Sequence, residues 1–325
     1  VSTDLPGGSA AGHEHAVRGV LFAFAAFAAF SFSDASVKLV HGALPPYESA
    51  FFGAVFALLV LPLLRKPGEP WHDILATNNR LLWTVRFLGY PMGVAGSVIA
   101  FTHLTMAEAF TLIFLQPIFV TLMSVAFLGE RIFWPRKLAV LLGFIGVLVV
   151  LRPGLRPLSI GHFGAALAGL GGAIQVVSFR ASGPTEKRLP LFGAGILGAL
   201  LLCGLASIPV FRLPTGKELL YLSSYGLLAA AANMLLMRAA RDAPAAQIGP
   251  TQYSQMIWAI LIGYVVFGDV VDTPTIIGMV LIVASGLITL LRERKVGTTL
   301  PPPVGRPSAA ASSLMEDTPD LPAAS

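Results

Sequence analysis

Residues 106–130 read MAEAFTLIFLQPIFVTLMSVAFLGE, and residues 245–269 read AAQIGPTQYSQMIWAILIGYVVFGD. Each holds an apolar run of about 20 residues, the length that crosses the hydrocarbon core of a bilayer as a helix. Offset by 139 residues, the two stretches coincide at several points. Ala107 meets Ala246, Gln116 meets Gln255, Phe119 meets Trp258, and Gly129-Glu130 meets Gly268-Asp269. Pro135 meets Pro274 just beyond. The shared order along a helix–loop–helix unit indicates an internal duplication.

Working outward, apolar spans recur along the chain at about 17–40, 47–64, 81–103, 106–128, 137–152, 161–180, 190–211, 218–238, 244–267 and 273–291. Between them stand Leu44-Pro45-Pro46, Arg65-Lys66-Pro67-Gly68, Arg152-Pro153-Gly154, Gly183-Pro184 and Leu213-Pro214, residues that interrupt helices. Among ten spans the matched stretches are the fourth and the ninth, an odd step of five, so the second half is expected upside down relative to the first. Inverted repeats of this kind underlie alternating access in many secondary transporters. The expected fold is all-α and integral to the membrane, as two inverted five-helix repeats at 17–152 and 160–292. Residues 1–16 and 293–325 are expected to be disordered cytoplasmic tails, the second rich in Pro, Ala and Ser.

Composition agrees. Of 325 residues, 55% are hydrophobic and 12% charged, with mean hydropathy +0.76. A soluble chain carries about a quarter charged residues, so this one has too few to cover a water-facing surface. The net charge of +5 does not gather into a basic face with interleaved aromatics, which argues against nucleic acid. Lys and Arg divide unevenly about the spans. Arg152, Arg156, Arg212 and Lys217 fall on one side, sixteen on the other, and Lys38 and Arg86 within spans, accounting for all 22. By the positive-inside rule both termini face the cytoplasm of a bacterial inner membrane. The first span is too long, and followed by too many others, to be a cleaved signal. Cys203 is the only cysteine, which excludes an intrachain disulfide. His13-Glu14-His15 lacks further ligands for a metal.

The run from Ala107-Glu108-Ala109 through Phe127-Leu128-Gly129-Glu130-Arg131, then Gly143 to Gly146 and Arg152-Pro153-Gly154, is similar to the drug/metabolite transporter superfamily, EamA type. The second half resembles it too, at Ala246-Gln247, Pro250 to Gln255, Phe267-Gly268-Asp269 and Gly278 through Gly286. It departs at Gly268-Asp269-Val270, where the usual Glu is missing. The resemblance spans about residues 17–292. It implies ten helices, cytoplasmic termini and a central cavity between inverted repeats. Its members move amino acids and related metabolites, often outward, or take up cofactors such as riboflavin or S-adenosylmethionine.

Polar side chains inside the spans need a reason, because an ionisable group there costs roughly 2.5–3.5 kcal/mol on insertion scales. Asp34 and Lys38 lie four apart on one helix face with Ser31. Asp34 suits a substrate amine or a proton relay, and Lys38 a carboxylate; a structural ion pair is the alternative, with Lys38 snorkelling. Gln252, Gln255 and Ala259 share a face, flanked by Tyr253 and Trp258, and Gln116 holds the place symmetric to Gln255. Amides both donate and accept, which suits a zwitterion or a ring edge, although glutamines also bond between membrane helices. Gln175 and Asn233 complete the candidate substrate-binding set. Arg86 is expected to snorkel or to cap carbonyls, and Glu108 and His103 to sit at an exposed helix junction.

A membrane enzyme would need a catalytic constellation in the helices. Asp269 and Asp272 are close in a short loop, and Ser285-Gly286 has no histidine nearby in sequence. No Gly-x-x-x-x-Gly-Lys motif is present, which argues against ATP-driven transport within this chain. A channel would show a filter-like loop or a carboxylate ring. The expectation is therefore a non-enzymatic secondary transporter, without cofactor or metal, of a small metabolite in the lipid bilayer. Export of amino acids or related metabolites leads, uptake of riboflavin or S-adenosylmethionine is the alternative, and protons are the candidate coupling ion. A non-transporting membrane enzyme or accessory protein is the rival class.

Overall fold

The computed structural model describes residues 7–40, 42–60, 62, 70, 74–75, 77, 79–128, 134–152, 154, 157–182, 188–243 and 245–297. Among them every regular element is a helix. In chain order these are α1 (Gly7–Lys38), α2 (Pro46–Leu58), α3 (Arg80–His103), α4 (Met106–Ile113), α5 (Gln116–Leu128), α6 (Trp134–Leu151) and α7 (Ile160–Ser182). There follow α8 (Arg188–Gly198), α9 (Gly204–Ser207), α10 (Gly216–Asp242), α11 (Ala245–Ile248), α12 (Ser254–Phe267) and α13 (Thr273–Gly297). Among the described residues six apolar segments are long enough to cross a membrane: Val17–Lys38, Arg80–His103, Met106–Phe127, Ile160–Ser178, Phe192–Val210 and Gly216–Ala239. Lys137–Leu151 and Thr273–Ile288 are apolar but shorter.

Helix α1 starts at Gly7, ten residues before the expected span at Val17. Residues 1–6 and 298–325 lie outside the described residues, as do Glu130 and Arg131. The expected single span at 106–128 is two helices, α4 and α5, parted at Phe114 and Leu115. Pro117 causes the break, since it has no N–H for the carbonyl of Ile113. The freed carbonyl faces α7 at Gly169, where a Cβ would stand 2.9 Å from the oxygen. A comparable interruption precedes α12, where a 3₁₀ turn, Gly249–Tyr253, carries Pro250.

The distribution of side chains is that of a protein in lipid. Phe127 (75%), Val265 (69%) and Leu213 (80%) are exposed, while Ala23, Ala26, Ala50 and Ala232 are fully enclosed. In lipid the hydrophobic effect does not draw apolar side chains inward, so helices associate through small residues that permit close contact. The α3–α7 pair shows this: a Cβ on Gly96 would lie 2.7 Å from the Gly164 carbonyl. The tightest partnerships are α3 with α7, α1 with α10, and α6 with α13.

Helix ends are closed by the devices their sequences supply. Thr215 and Glu218 form a capping box on α10, Thr105 caps α4, and Asn79 caps α3. Gly268, with φ +66°, ends α12, and the Asp269 N–H returns to the Gly263 carbonyl at 2.8 Å. That turn aims Asp269 back toward the bundle.

Candidate substrate cavity and its flanking ion pairs

A cavity of about 230 Å³ sits where α1, α3, α4, α5, α7 and the turn before α12 converge. Five of the sequence candidates line it: Asp34, Gln116, Gln175, Gln252 and Gln255. The interrupted helices explain how the amides reach it. Gln116 begins α5 directly after the break, while Gln252 lies in the 3₁₀ turn and Gln255 in the first turn of α12. Gly172 has no side chain, so the Gln116 amide lies against its backbone; a Cβ there would stand 2.9 Å from Cδ.

Asp34 is half-buried, and among the described residues it has no hydrogen-bond or ion-pair partner. A carboxylate at membrane depth without a partner is costly unless something brings it a cation or a proton. Gln175 is held differently. Arg86, only 1% exposed, donates from Nη2 to Gln175 Oε1 at 2.9 Å and from Nη1 to the Gln175 carbonyl and Ser178 Oγ, both at 3.1 Å. Arg86 therefore caps a carbonyl, as expected, but is buried in the bundle and does not snorkel.

The remaining candidates stand elsewhere. Lys38, one turn beyond Asp34, donates to Asp269 Oδ2 and to the Leu104 carbonyl, both at 2.9 Å, with its Nζ 4.8 Å from the Phe267 ring centre. As an ion pair it therefore joins Asp269 and not Asp34, because the Gly268 turn delivers that carboxylate to the end of α1. Asn233 donates to the Ala229 carbonyl of its own helix at 2.9 Å and is not on the cavity wall. Trp258 packs on Phe32, ring centres 5.7 Å apart, away from the cavity. Tyr253 stacks on Phe114 at 5.4 Å and backs the wall. Conversely Tyr90, Ser97, Phe101, Phe110 and Phe114 line the cavity without having been singled out. Aromatic residues in an apolar span carry no periodic signal that separates a cavity from lipid.

Around the end of α1 hydrogen bonds and ion pairs made by carboxylates join distant parts of the chain. Asp269 Oδ2 also accepts from the Met106 N–H at 3.0 Å. His162 Nδ1 accepts from the Ser159 N–H at 2.9 Å, which leaves Nε2–H to donate to Glu108 Oε1 at 3.2 Å. Glu108 is thus buried and paired, not in an exposed junction. The Arg212 N–H donates to Glu48 Oε1 at 3.2 Å, and its guanidinium to the Ala43 carbonyl at 3.0 Å. Arg152 contacts Asp272. Burial alone would raise the Asp272 carboxyl, but hydrogen bonds from Thr275 and Arg152 outweigh it and hold the group below its ordinary 3.8. At the opposite end, Arg18 and Asp242 form a looser pair at 3.7 Å. No cluster of three His, Cys, Asp or Glu side chains suited to a metal occurs among the described residues.

Residues 17–152 and 159–291 match the model of the EamA-like transporter family. The chain belongs to that family. Relatives at lower identity carry transporter names. An S-adenosylmethionine uptake transporter of Rickettsia conorii is 26% identical over 267 residues, covering 82% of this chain and 90% of its own length. A pseudopaline exporter of Pseudomonas aeruginosa is 28% identical over 289 residues, covering 85% and 97%. One crystal structure, 19% identical, superposes with a TM-score of 0.59 over 86% of this chain and 99% of its own, a likeness of fold alone. Like its EamA relatives, the chain is a membrane protein, and its family acts in transport.

Proposed function

We propose that this EamA-family protein is a secondary transporter of the bacterial cytoplasmic membrane, which moves a small metabolite bearing a cationic group by alternating access. Ten membrane helices form two inverted five-helix halves, with both termini in the cytoplasm. The observation that carries the reading is the cavity itself. Asp34, Tyr90 and Gln116 come to it from the first half, Gln175, Gln252 and Gln255 from the second, and Asp34 has no partner among the described residues.

The 139-residue offset supports the repeat. It maps α3 onto α10 and α7 onto α1, so the two tightest packings, α3 with α7 and α10 with α1, are each other's counterparts. It also pairs Gly146 with Ser285 and Ala139 with Gly278. A Cβ on Gly146 would lie 2.9 Å from the Gly278 carbonyl, while Ser285 Oγ donates to the Ala139 carbonyl at 2.6 Å. Each is the image of the other under that offset.

Alternating access requires one entrance to be shut while the other opens. Lys38–Asp269, Glu108–His162, Glu48–Arg212 and Arg152–Asp272 each tie a residue before 153 to one after 158, all near the C-terminal end of α1. These ties hold that face closed, and the cavity opens to it when they part. By the charge asymmetry that face is the periplasmic one.

Export of an amino acid or related metabolite is the leading direction. Uptake of S-adenosylmethionine is the second reading. It is favoured by the names of relatives and by the pairing of a carboxylate with aromatic walls, which suits a sulfonium beside a flat ring. The test is ligand-induced thermal stabilisation of the purified protein against amino acids, riboflavin and S-adenosylmethionine, followed by flux in proteoliposomes of both orientations. A ligand at 100 times its Kd adds about 2.7 kcal/mol. A cationic ligand that stabilises the wild type but not Asp34→Asn, and crosses the membrane, supports the proposal. Stabilisation undiminished in Asp34→Asn removes its basis. An imposed pH gradient that accelerates flux in the wild type alone would assign Asp34 the proton as well.

A further inference from the structure

We propose that Arg86 is a positioning residue for the transported molecule. It locks the Gln175 amide so that Nε2 faces the cavity as a donor, and the molecule is therefore a zwitterion, its cation at Asp34 and its carboxylate at Gln175. The inference rests on the transporter reading above and adds a second pole to the site.

A guanidinium carries only N–H donors, so it can meet the oxygen end of a side-chain amide and never the nitrogen end. Arg86 Nη2 holds Gln175 Oε1 at 2.9 Å, while Nη1 holds the backbone carbonyl of the same residue at 3.1 Å. Two bonds to one residue fix both its backbone and its amide plane. With Oε1 taken from behind, the end of Gln175 left to the cavity it lines is Nε2, with two N–H groups. A donor hydrogen-bonded through its own carbonyl to a cation is polarised toward stronger donation. An ordinary glutamine can turn to offer either end; this one is committed to accepting partners.

The opposite commitment is made on another wall. Asp34 stands on α1, which packs on α10 and α12, whereas Gln175 stands on α7, which packs on α3 and α5. The 139-residue offset makes α1 and α7 counterparts in the two halves, so the two poles come from equivalent helices but are of unlike type. Ala173 occupies the place equivalent to Asp34, and Ser36 the place equivalent to Gln175. The cavity is thereby polarised although its framework is symmetric. A molecule with a positive and a negative end satisfies both walls in one orientation only. Gln116, laid against Gly172 one turn before Gln175, adds a second amide beside the donor pole.

The test uses paired probes that differ only in the carboxylate: S-adenosylmethionine against its decarboxylated form, and L-methionine against 3-(methylthio)propylamine. Binding to the full-length purified protein is read by thermal shift and isothermal titration. In the wild type the carboxylate-bearing member of a pair is expected to bind at least tenfold more tightly. In Gln175→Glu the bond to Arg86 is kept and the fold with it, but the cavity end becomes an acceptor, so the preference should reverse toward the amine. In Arg86→Met the preference should fall to within about twofold while the amine binds as before, and Arg86→Lys should recover part of it. A merely structural Arg86 would lower stability and weaken both members of a pair alike. A wild type that binds both members equally, or a Gln175→Glu protein that keeps the wild-type preference, overturns the zwitterion inference and leaves the cationic-substrate reading standing. A wild type that binds no member of either pair overturns both.

Discussion

Asp34 and Asp269 are both carboxylates set against the last turns of α1, and they are treated in opposite ways. Asp269 accepts from Lys38 at 2.9 Å and from the Met106 N–H at 3.0 Å, in a site where the two charged side chains are only 16% and 12% exposed. Asp34, one helical turn before Lys38, is left without a partner among the described residues and faces a cavity. The nearest cation in sequence is drawn away from it by a glycine turn on a distant helix. Where charge is matched, the protein joins its two halves. Where it is withheld, a carboxylate faces the cavity, and in the proposed function a ligand cation or a proton satisfies it. That division also separates residues whose loss should affect stability from those whose loss should affect binding.

Asp34→Asn should break the contrast most severely. Removing one member of a desolvated charge pair costs a complex about 2–5 kcal/mol, so a cationic ligand should bind at least about thirtyfold more weakly. The melting temperature without ligand should hold or rise, since no internal bond is lost. Titration calorimetry and a melting curve on the same sample check both halves of the statement, and a fall in melting temperature with affinity preserved would exchange the roles given to the two aspartates.

Lys38→Met should do the reverse. It leaves Asp269 partly buried with its charge unbalanced, at a cost of about 1–3 kcal/mol. The Lys38→Met/Asp269→Asn pair should be less damaging than the two single changes added together, because neither charge is then stranded. Chemical denaturation in detergent of the four proteins of that cycle measures the coupling. Additive losses would mean the pair does not join the halves.

The pair at the rim should matter less. Asp272 is held below its ordinary carboxyl range when folded, so it contributes stability that is present above about pH 3.8 and lost as the pH falls through the lowered value. Its side chain is 44% exposed, so solvent screens the pair and the contribution is no more than about 0.5 kcal/mol. Arg152→Met should lower the melting temperature slightly at pH 7, and the difference from wild type should shrink toward pH 3. A gap that widens on acidification would refute the assignment. Smallest of all, Asn233→Ala and Trp258→Phe should change ligand affinity by less than about twofold, since both side chains stand off the cavity wall. A larger effect would extend the site beyond its present walls.

The amides that line the cavity were legible in sequence because they are rare at membrane depth and two of them, Gln116 and Gln255, recur at the repeat offset. Lys38 shows the limit of that reasoning. Its spacing from Asp34 is a local fact and suggested a local pair, but its partner lies 231 residues away, and only the fold brings the two together. Tyr90, Phe101 and Phe110 were silent for a related reason: in an apolar span an aromatic facing a cavity has the same neighbours in sequence as one facing lipid. The break at Phe114 and Leu115 was written in Pro117, yet the length of the apolar run concealed it.

By itself, then, the chain determined that it would be helical and lie in a membrane, because a shortage of charge and runs of about 20 apolar residues leave backbone polar groups no partners but each other. It also determined where polarity would be spent inside that medium. The tertiary structure alone decided which polar groups meet. It sent Asp269 to Lys38, His162 to Glu108 and Arg86 to Gln175, and it left Asp34 unmatched beside the amides. Those contacts join residues tens to hundreds of positions apart, and a sequence pattern of period 3.6 has no means to express them.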